Sequence, residues 1–209
     1  MMFELKNVNH SYKNFNIKNI SLKIEEGELI GIVGSNGSGK TTLLKIMAGI
    51  INNENVYNEG KKITKNKLFK ISYMDSNAFF YELLTVNEML DFVKHIYNNS
   101  CDERMDSWIE QIGLNRYKNE LIKNLSLGNR QKLALMLTLL NRPTLILLDE
   151  PFNGIDEASV DILINILKKL VMEKRTVIIT THVKNVLNGL CTRLVELNEG
   201  SVISDNVVI

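Results

Sequence analysis

The chain is expected to fold as an α/β protein with a largely parallel sheet at its core. Three observations predict it. Short, wholly apolar runs, Leu29 to Val33, Leu145 to Leu148 and Val177 to Ile179, have the length of strands buried on both faces. Longer stretches with helical periodicity separate them. The first run leads directly into a glycine-rich loop and then a helix-like stretch, Thr41 to Ile50.

In chain order, Phe3 to Val8 and Ile20 to Ile24 alternate apolar and polar residues and read as strands with one buried face. Glu25-Glu26-Gly27-Glu28 is a turn. Asn52 to Gly60 is polar and expected to be loop. Ile71 to Met74 reads as a short strand and Asp75 to Ala78 as a loop. Thr85-Val86-Asn87-Glu88 is a capping box: Thr85 caps backbone N–H groups and Glu88 reaches back. The helix it starts is expected to run to about Tyr97, with Val86, Met89, Leu90, Val93 and Ile96 on one apolar face. A second helix, Asp102 to about Ile112, brings Met105, Trp108 and Ile112 together and sends Trp108 to the core.

Ser126 stands at an N-cap position before a helix from Leu127 to Leu140, and Asn141-Arg142-Pro143 stops it. Thr144 to Leu148 is a buried strand. Asp156 caps a helix to about Glu173 that buries Val160, Leu163, Ile164, Leu167 and Leu170. A short helix, about Lys184 to Leu190, and strand pieces near Leu194 to Leu197 and Val202-Ile203 complete the pattern. Residues from about 77 to 125 carry helices without intervening strands and read as a helical insertion in a single domain spanning 1–209.

Composition narrows the classes. Lys and Arg number 25 against 24 Asp and Glu, so a net charge of +1 gives no argument for nucleic acid. No run approaches the roughly 18 apolar residues of a membrane span. Met1-Met2-Phe3-Glu4 lacks the basic and apolar regions of a signal peptide, so a cytosolic location is expected. Cys101 and Cys191 are far apart, without metal-ligand spacing, and read as free thiols.

The glycine-rich stretch is Gly34-Ser35-Asn36-Gly37-Ser38-Gly39-Lys40-Thr41, with Thr42 after it. It fits the phosphate-binding pattern G-x-x-x-x-G-K-[ST] in the required strand–loop–helix context. Glycines let successive N–H groups turn inward around an anion, and the helix N-terminus adds partial positive charge. Lys40 is expected to reach the β- and γ-phosphates, and Thr41 to offer a hydroxyl to Mg²⁺. Such a site needs an acid at the end of a second buried strand. Asp149 supplies it for Mg²⁺, and Glu150 is placed to polarise an attacking water. His182 ends the strand Val177 to Thr181, where α/β sheets gather their ligands, and is expected near the γ-phosphate or the water. Acids often cap strands and lone histidines are often structural; the upstream loop and the strand-end position favour the chemical reading. His10 and His95 have no such support and read as surface residues.

Together these stretches resemble the ATP-binding cassette family, the nucleotide-binding subunits of ABC transporters, in order over nearly the whole chain. Leu125-Ser126-Leu127-Gly128-Asn129 resembles the signature L-S-G-G-Q, and Arg130-Gln131-Lys132-Leu133 the basic helix after it. Asp149 to Asp156 resembles the second acid, the catalytic glutamate and the D-loop. Thr181-His182 resembles the switch histidine, and Tyr12 the aromatic that stacks on adenine. The resemblance implies a P-loop nucleoside-triphosphatase core, an antiparallel β subdomain and a helical subdomain at about 77–125. It also implies ATP and Mg²⁺ as cofactors and a second cassette, identical or not, as partner. Ser126 and the Gly128 N–H would then touch the γ-phosphate held across the interface, and hydrolysis would open the dimer.

Two departures stand out. Leu127 and Asn129 replace Gly and Gln in the signature, and the Ser-Leu-Gly form is similar to that of cassettes exporting lantibiotics and other antimicrobial peptides. Ile71 to Asn77 aligns with the Q-loop but puts Ser76, counted with the metal-side residues, at the glutamine's place; Asp75 and Asn77 are the neighbouring substitutes. The leading reading is the ATPase subunit of a transporter whose permease is a separate transmembrane subunit, with this chain peripheral on the inner face of the membrane. Phe79, Phe80 and Tyr81 are then candidates to receive a coupling helix or to enter the core. The competing reading is a soluble assembly ATPase, for example in iron–sulfur biogenesis; a general P-loop kinase is disfavoured by the signature.

Overall fold

The computed structural model describes residues 3–12, 15–62, 70–97, 102–182, 187 and 189–208. Two strands open the chain, β1 (Phe3–Tyr12) and β2 (Phe15–Ile24), paired antiparallel from Phe3↔Ile24 to Tyr12↔Phe15. Both run longer than the apolar alternation implies, because cross-strand pairing carries the exposed ends along. The segment 52–60, expected to be loop, contains β4 (Val56–Asn58), which pairs with β1; β5 (Lys61–Lys62) follows. These two short strands, one of them Lys-Lys, are held by hydrogen bonding to a neighbour rather than by an apolar pattern, so periodicity does not find them. The antiparallel sheet has the order β2-β1-β4-β5.

The second sheet uses β3 (Leu29–Val33), β6 (Ile71–Met74), β7 (Leu145–Asp149), β8 (Thr176–Thr181), β9 (Arg193–Asn198) and β10 (Ser201–Val207) in the order β10-β9-β3-β8-β7-β6. Every pairing is parallel except β9 with β10. The unbroken apolar runs serve two cores. Ile30, Ile32, Leu145, Leu147 and Ile178 face α1 (Lys40–Met47) and the antiparallel sheet. Leu29, Val33, Ile146, Leu148 and Ile179 face the opposite core. That core is built on α2 (Val86–Ile96), α3 (Met105–Gln111), α4 (Leu127–Leu139) and α5 (Glu157–Met172).

Local signals set most helix ends. Thr85 and Glu88 form the reciprocal capping box, and Ser126 and Asp156 cap α4 and α5 through the Asn129 and Ser159 N–H groups. Trp108 is buried. Several expectations shift. Helix α1 stops at Met47, before Gly49 in the left-handed region. Ile96, expected inside, is exposed at the end of α2. On α5, Val160 and Ile164 are half-buried, and Ile166 takes a fully buried place. Helix α3 starts at Met105, not Asp102. Asp102 is 4% exposed and is gripped by Arg104 and by Arg175, which lies 73 residues away. The helix expected from Lys184 falls largely outside the described residues, as does Cys101; Gly189 and Leu190 lie in a turn.

The sheet order positions the site. Val33 pairs with Thr181, and Asp149 with Thr180, so β3, β8 and β7 end side by side. The residues after those ends, Gly34, His182 and Glu150, must therefore share one rim.

Candidate active site

The loop between β3 and α1 is shaped by its glycines. Gly37 and Gly39 have φ of +81° and +107°, where a side chain is strained. A Cβ on Gly39 would also meet the Phe15 ring at 2.7 Å, so this loop is packed directly against β2. The Ser38 N–H donates to Ser35 O at 3.1 Å. Lys40 folds back over the loop, and its Nζ donates to Gly34 O at 2.8 Å and Ser35 O at 3.1 Å. The Ser38 hydroxyl is buried without a hydrogen-bond partner among the described residues. A left-handed glycine turn, a buried hydroxyl with bonding capacity to spare and a lysine at a helix N-terminus suit a phosphate group.

The acids close the other side. Thr41 Oγ1 donates to Asp149 Oδ2 at 2.7 Å, and Thr180 Oγ1 donates to Asp149 Oδ1 at 2.5 Å. Asp149 is fully buried. Its carboxylate faces Tyr73, whose hydroxyl is pushed above its ordinary range, first by burial and then by Asp149 and Asp75. Glu150 follows with φ of +49°, and its Oε1 lies 3.0 Å from His182 Nδ1. Among the described residues no cluster of three or more His, Cys, Asp or Glu could hold a metal alone. One carboxylate and one hydroxyl beside a phosphate loop instead suit Mg²⁺, which keeps waters and shares phosphate oxygens.

These groups line one open cavity of about 640 Å³. Of the residues expected at the site, Tyr12, Asn36, Gly37, Gly39, Lys40, Thr41, Thr42, Ser76, Asp149, Glu150 and His182 line it. Gly34 and Ser35 lie behind the loop as acceptors for Lys40. Tyr12 is at the rim, 62% exposed. Ser126 and Gly128 do not join this group. They open on a second cavity of about 660 Å³ with Asn129, Lys132, Gly154 and Asp156. Gly128 also has a packing reason: a Cβ there would overlap the Gly154 carbonyl oxygen.

Phe15, Gln131 and Asn153 line the first cavity without having been singled out as site residues from sequence, and Leu127, noted only as a departure in the signature, lines it too. Phe15 follows Tyr12 across the β1–β2 hairpin, and that pairing was the available signal. Gln131 lies in the basic helix just after the signature stretch and carries no local chemical pattern. Asn77 lines the cavity beside Ser76, whereas Asp75 is committed elsewhere. The Asp75 carboxylate pairs with Lys45 at 2.9 Å, accepts from the Tyr73 hydroxyl at 3.3 Å and caps the Asn77 N–H at 3.1 Å.

Comparison with known proteins agrees with this arrangement. A family profile described as ABC transporter matches residues 17–153. An uncharacterised ABC transporter ATP-binding protein of Bacillus subtilis, YdbJ, is 34% identical over 192 residues, covering 89% of this chain and 62% of its own length. The chain thus spans less than two thirds of that relative. A probable metal transport system ATP-binding protein of Thermotoga maritima is 34% identical, covering 93% of this chain and 80% of its own. The lantibiotic transport ATP-binding protein SrtF of Streptococcus pyogenes is 27% identical, covering 97% and 89%. Among solved structures, a dimeric post-hydrolysis ATP-binding cassette bound to ADP and Pi superposes with a TM-score of 0.84 at 28% identity, covering 99% of each chain.

Proposed function

The chain belongs to the ABC transporter family of ATP-binding proteins, and from that premise we propose that it binds and hydrolyses ATP as one half of a cassette pair, driving transport through a separate membrane-spanning subunit. One observation carries the reading. Two sets of groups whose chemistry suits phosphate open on two separate cavities: Lys40, Thr41, Asp149, Glu150 and His182 on one, Ser126 and Gly128 on the other. A second cassette set head to tail would bring the Ser126 hydroxyl and the Gly128 N–H onto a phosphate held by the first.

Each residue then has a task. Tyr12 and Phe15 offer ring faces to the base. The backbone of Asn36 to Gly39 and the Lys40 ammonium hold the phosphates, and the Ser38 hydroxyl has an acceptor or donor to give. Thr41 and Asp149 would hold Mg²⁺, with Ser76 on the same side. A bound Mg²⁺ there would supply charge neutralisation for phosphoryl transfer. Glu150 accepts the proton of the attacking water, and His182 fixes one carboxylate oxygen at 3.0 Å so that the other can face the water.

Among the described residues no helix is long and apolar enough to cross a membrane. On the proposed reading the pore is another polypeptide and the chain sits peripherally on the cytoplasmic face. Phe79 and Tyr81 are exposed and Phe80 is buried, which divides the three aromatics between docking and core. Phe79, Tyr81 and Phe92 meet edge to face at 5.7 and 5.6 Å, a surface suited to a partner's coupling helix. The Ser-Leu-Gly signature and the lantibiotic-transport relative support a peptide cargo; the metal-transport relative supports a metal. Stimulation of reconstituted ATPase activity by one class and not the other separates them. The primary test is Lys40→Ala, which should abolish hydrolysis in the full chain; unchanged turnover would overturn the assignment.

A further inference from the structure

Gln131 lies one turn into α4 and is only 4% exposed. Its Nε2 donates to the carbonyl oxygen of Glu150 at 3.0 Å. We propose that Gln131 is a positioning residue for Glu150, holding its backbone so that the carboxylate points into the cavity shared with Lys40 and His182. The inference rests on the reading of Glu150 as the group that activates water.

Glu150 needs such a hold. Its φ of +49° lies in the left-handed region, which a residue with a long side chain adopts only when its surroundings impose it. On one side its N–H is shared between Thr180 O at 3.1 Å and Thr180 Oγ1 at 3.2 Å, both on β8. On the other, its carbonyl accepts from Gln131 on α4 and, more weakly, from the Asn153 N–H at 3.4 Å. A strand and a helix thus grip opposite ends of one strained residue. Without the Gln131 amide only the weaker Asn153 bond holds this part-buried carbonyl, so the peptide is freer to rotate.

The hold also has a direction. The start of α4 lies along the segment 150–156 and touches it at three points. Gln131 meets Glu150, and Gly128 packs on the Gly154 carbonyl with no room for a Cβ. Lys132 Nζ donates to Asp156 Oδ2 at 2.8 Å and holds that carboxyl well below its usual range. Ser126 caps the same helix and faces the second cavity. A shift of the α4 N-terminus would therefore reach Glu150 through a single side chain.

Gln131→Met keeps length and bulk but removes the donor. Gln131→Glu keeps shape and sets a carboxylate against the Glu150 carbonyl until it is protonated. Both would be assayed in the full chain for Mg²⁺-ATP turnover and equilibrium ATP binding, with Glu150→Gln in parallel. Gln131→Met should lower kcat by about tenfold, the scale of one lost hydrogen bond in a reacting geometry, with Kd and KM within about twofold. The turnover of Gln131→Glu relative to the unaltered chain should rise as pH falls, because the protonated carboxyl donates again. Unaltered kcat in Gln131→Met, or kcat and Kd failing together, would overturn the proposal. If that variant does not fold, a pH-independent ratio for Gln131→Glu would overturn it instead. Normal turnover in Glu150→Gln would remove the underlying reading of Glu150; an inactive Glu150→Gln beside a fully active Gln131→Met would sink the Gln131 assignment alone.

Discussion

Thr41 and Asp149, 108 residues apart in sequence, are joined by a 2.7 Å hydrogen bond from the threonine hydroxyl to Asp149 Oδ2. The first helical turn after the phosphate loop is thereby fixed to the end of β7. Thr180 holds the other carboxylate oxygen. Asp149→Asn keeps the shape and an acceptor for Thr41 but removes the charge. Its ATP affinity should lose most of its dependence on Mg²⁺, while the metal-free affinity stays close to that of the unaltered chain. Titrating nucleotide with and without EDTA checks this; an unchanged Mg²⁺ dependence would place the metal elsewhere.

Tyr12 is expected to stack on the base from the rim. Tyr12→Ala should weaken ATP binding by about 1–3 kcal/mol, the range for base–aromatic stacking, and Tyr12→Phe should largely preserve it. Inorganic triphosphate should bind Tyr12→Ala as it binds the unaltered chain, since the loop is untouched. Equal losses for both ligands would mean that Tyr12 supports the hairpin rather than the base.

Asp102 makes a pH prediction. Burial by itself would raise its carboxyl, but hydrogen bonds from the Arg104 side chain and N–H and from Arg175 hold it well below the carboxylate range. Arg104 also pairs with Glu173, so the start of α3 is tied to the end of α5. A depressed folded-state pKa means that the pairing stabilises the fold fully above the unfolded value of about 3.9 and is lost as pH falls toward the folded one. Asp102→Asn should cost about 1.5–3 kcal/mol near neutrality, the scale of hydrogen bonds to a charged group, because both arginines keep Glu173 as a partner. The difference from the unaltered chain should shrink below about pH 4. Urea melts across pH would reveal a constant difference if the pairing is not the cause.

The parts legible in sequence are those whose chemistry is local. Gly34 to Thr41 needs only its own glycines, lysine and preceding strand, and Thr85 with Glu88 or Ser126 with Asn129 cap within three residues. Contacts distant in sequence were not legible. Asp102 reads as a helix start until Arg175 is seen beside it. The strand Val56–Asn58 exists because β1 offers an edge, and its polarity says loop. Phe15 and Gln131 reach the cavity only through hairpin pairing and helix packing, so neither stands out in a linear reading.

Ser76 leaves the loop after β6 short of a long polar side chain toward the metal side. Asp75 cannot serve there while Lys45, Tyr73 and the Asn77 N–H occupy it. Ser76→Gln should therefore bind Mg²⁺-ATP and raise hydrolysis by the isolated chain. Loss of Mg²⁺-ATP binding in this variant would show that the loop is aligned wrongly.

The separation of Ser126 and Gly128 from the cavity of Lys40 leads to the final prediction. If Ser126 and Gly128 meet a phosphate as proposed, the cavity they face is not the one that would hold the chain's own nucleotide, so a second cassette would bring that phosphate to it. Glu150→Gln preserves shape and removes the proposed base, so bound ATP should persist and hold two chains together. Light scattering should give a dimer for Glu150→Gln with Mg²⁺-ATP and a monomer without it, either alone or with a second cassette encoded nearby. Adding Ser126→Arg should abolish the dimer by filling the place of the phosphate across the interface, while ATP binding by each chain is retained because Ser126 does not line that cavity. A nucleotide-loaded Glu150→Gln chain that stays monomeric in every mixture would rule out the sandwich. A dimer indifferent to Ser126→Arg would keep the pair but move its contact away from the signature.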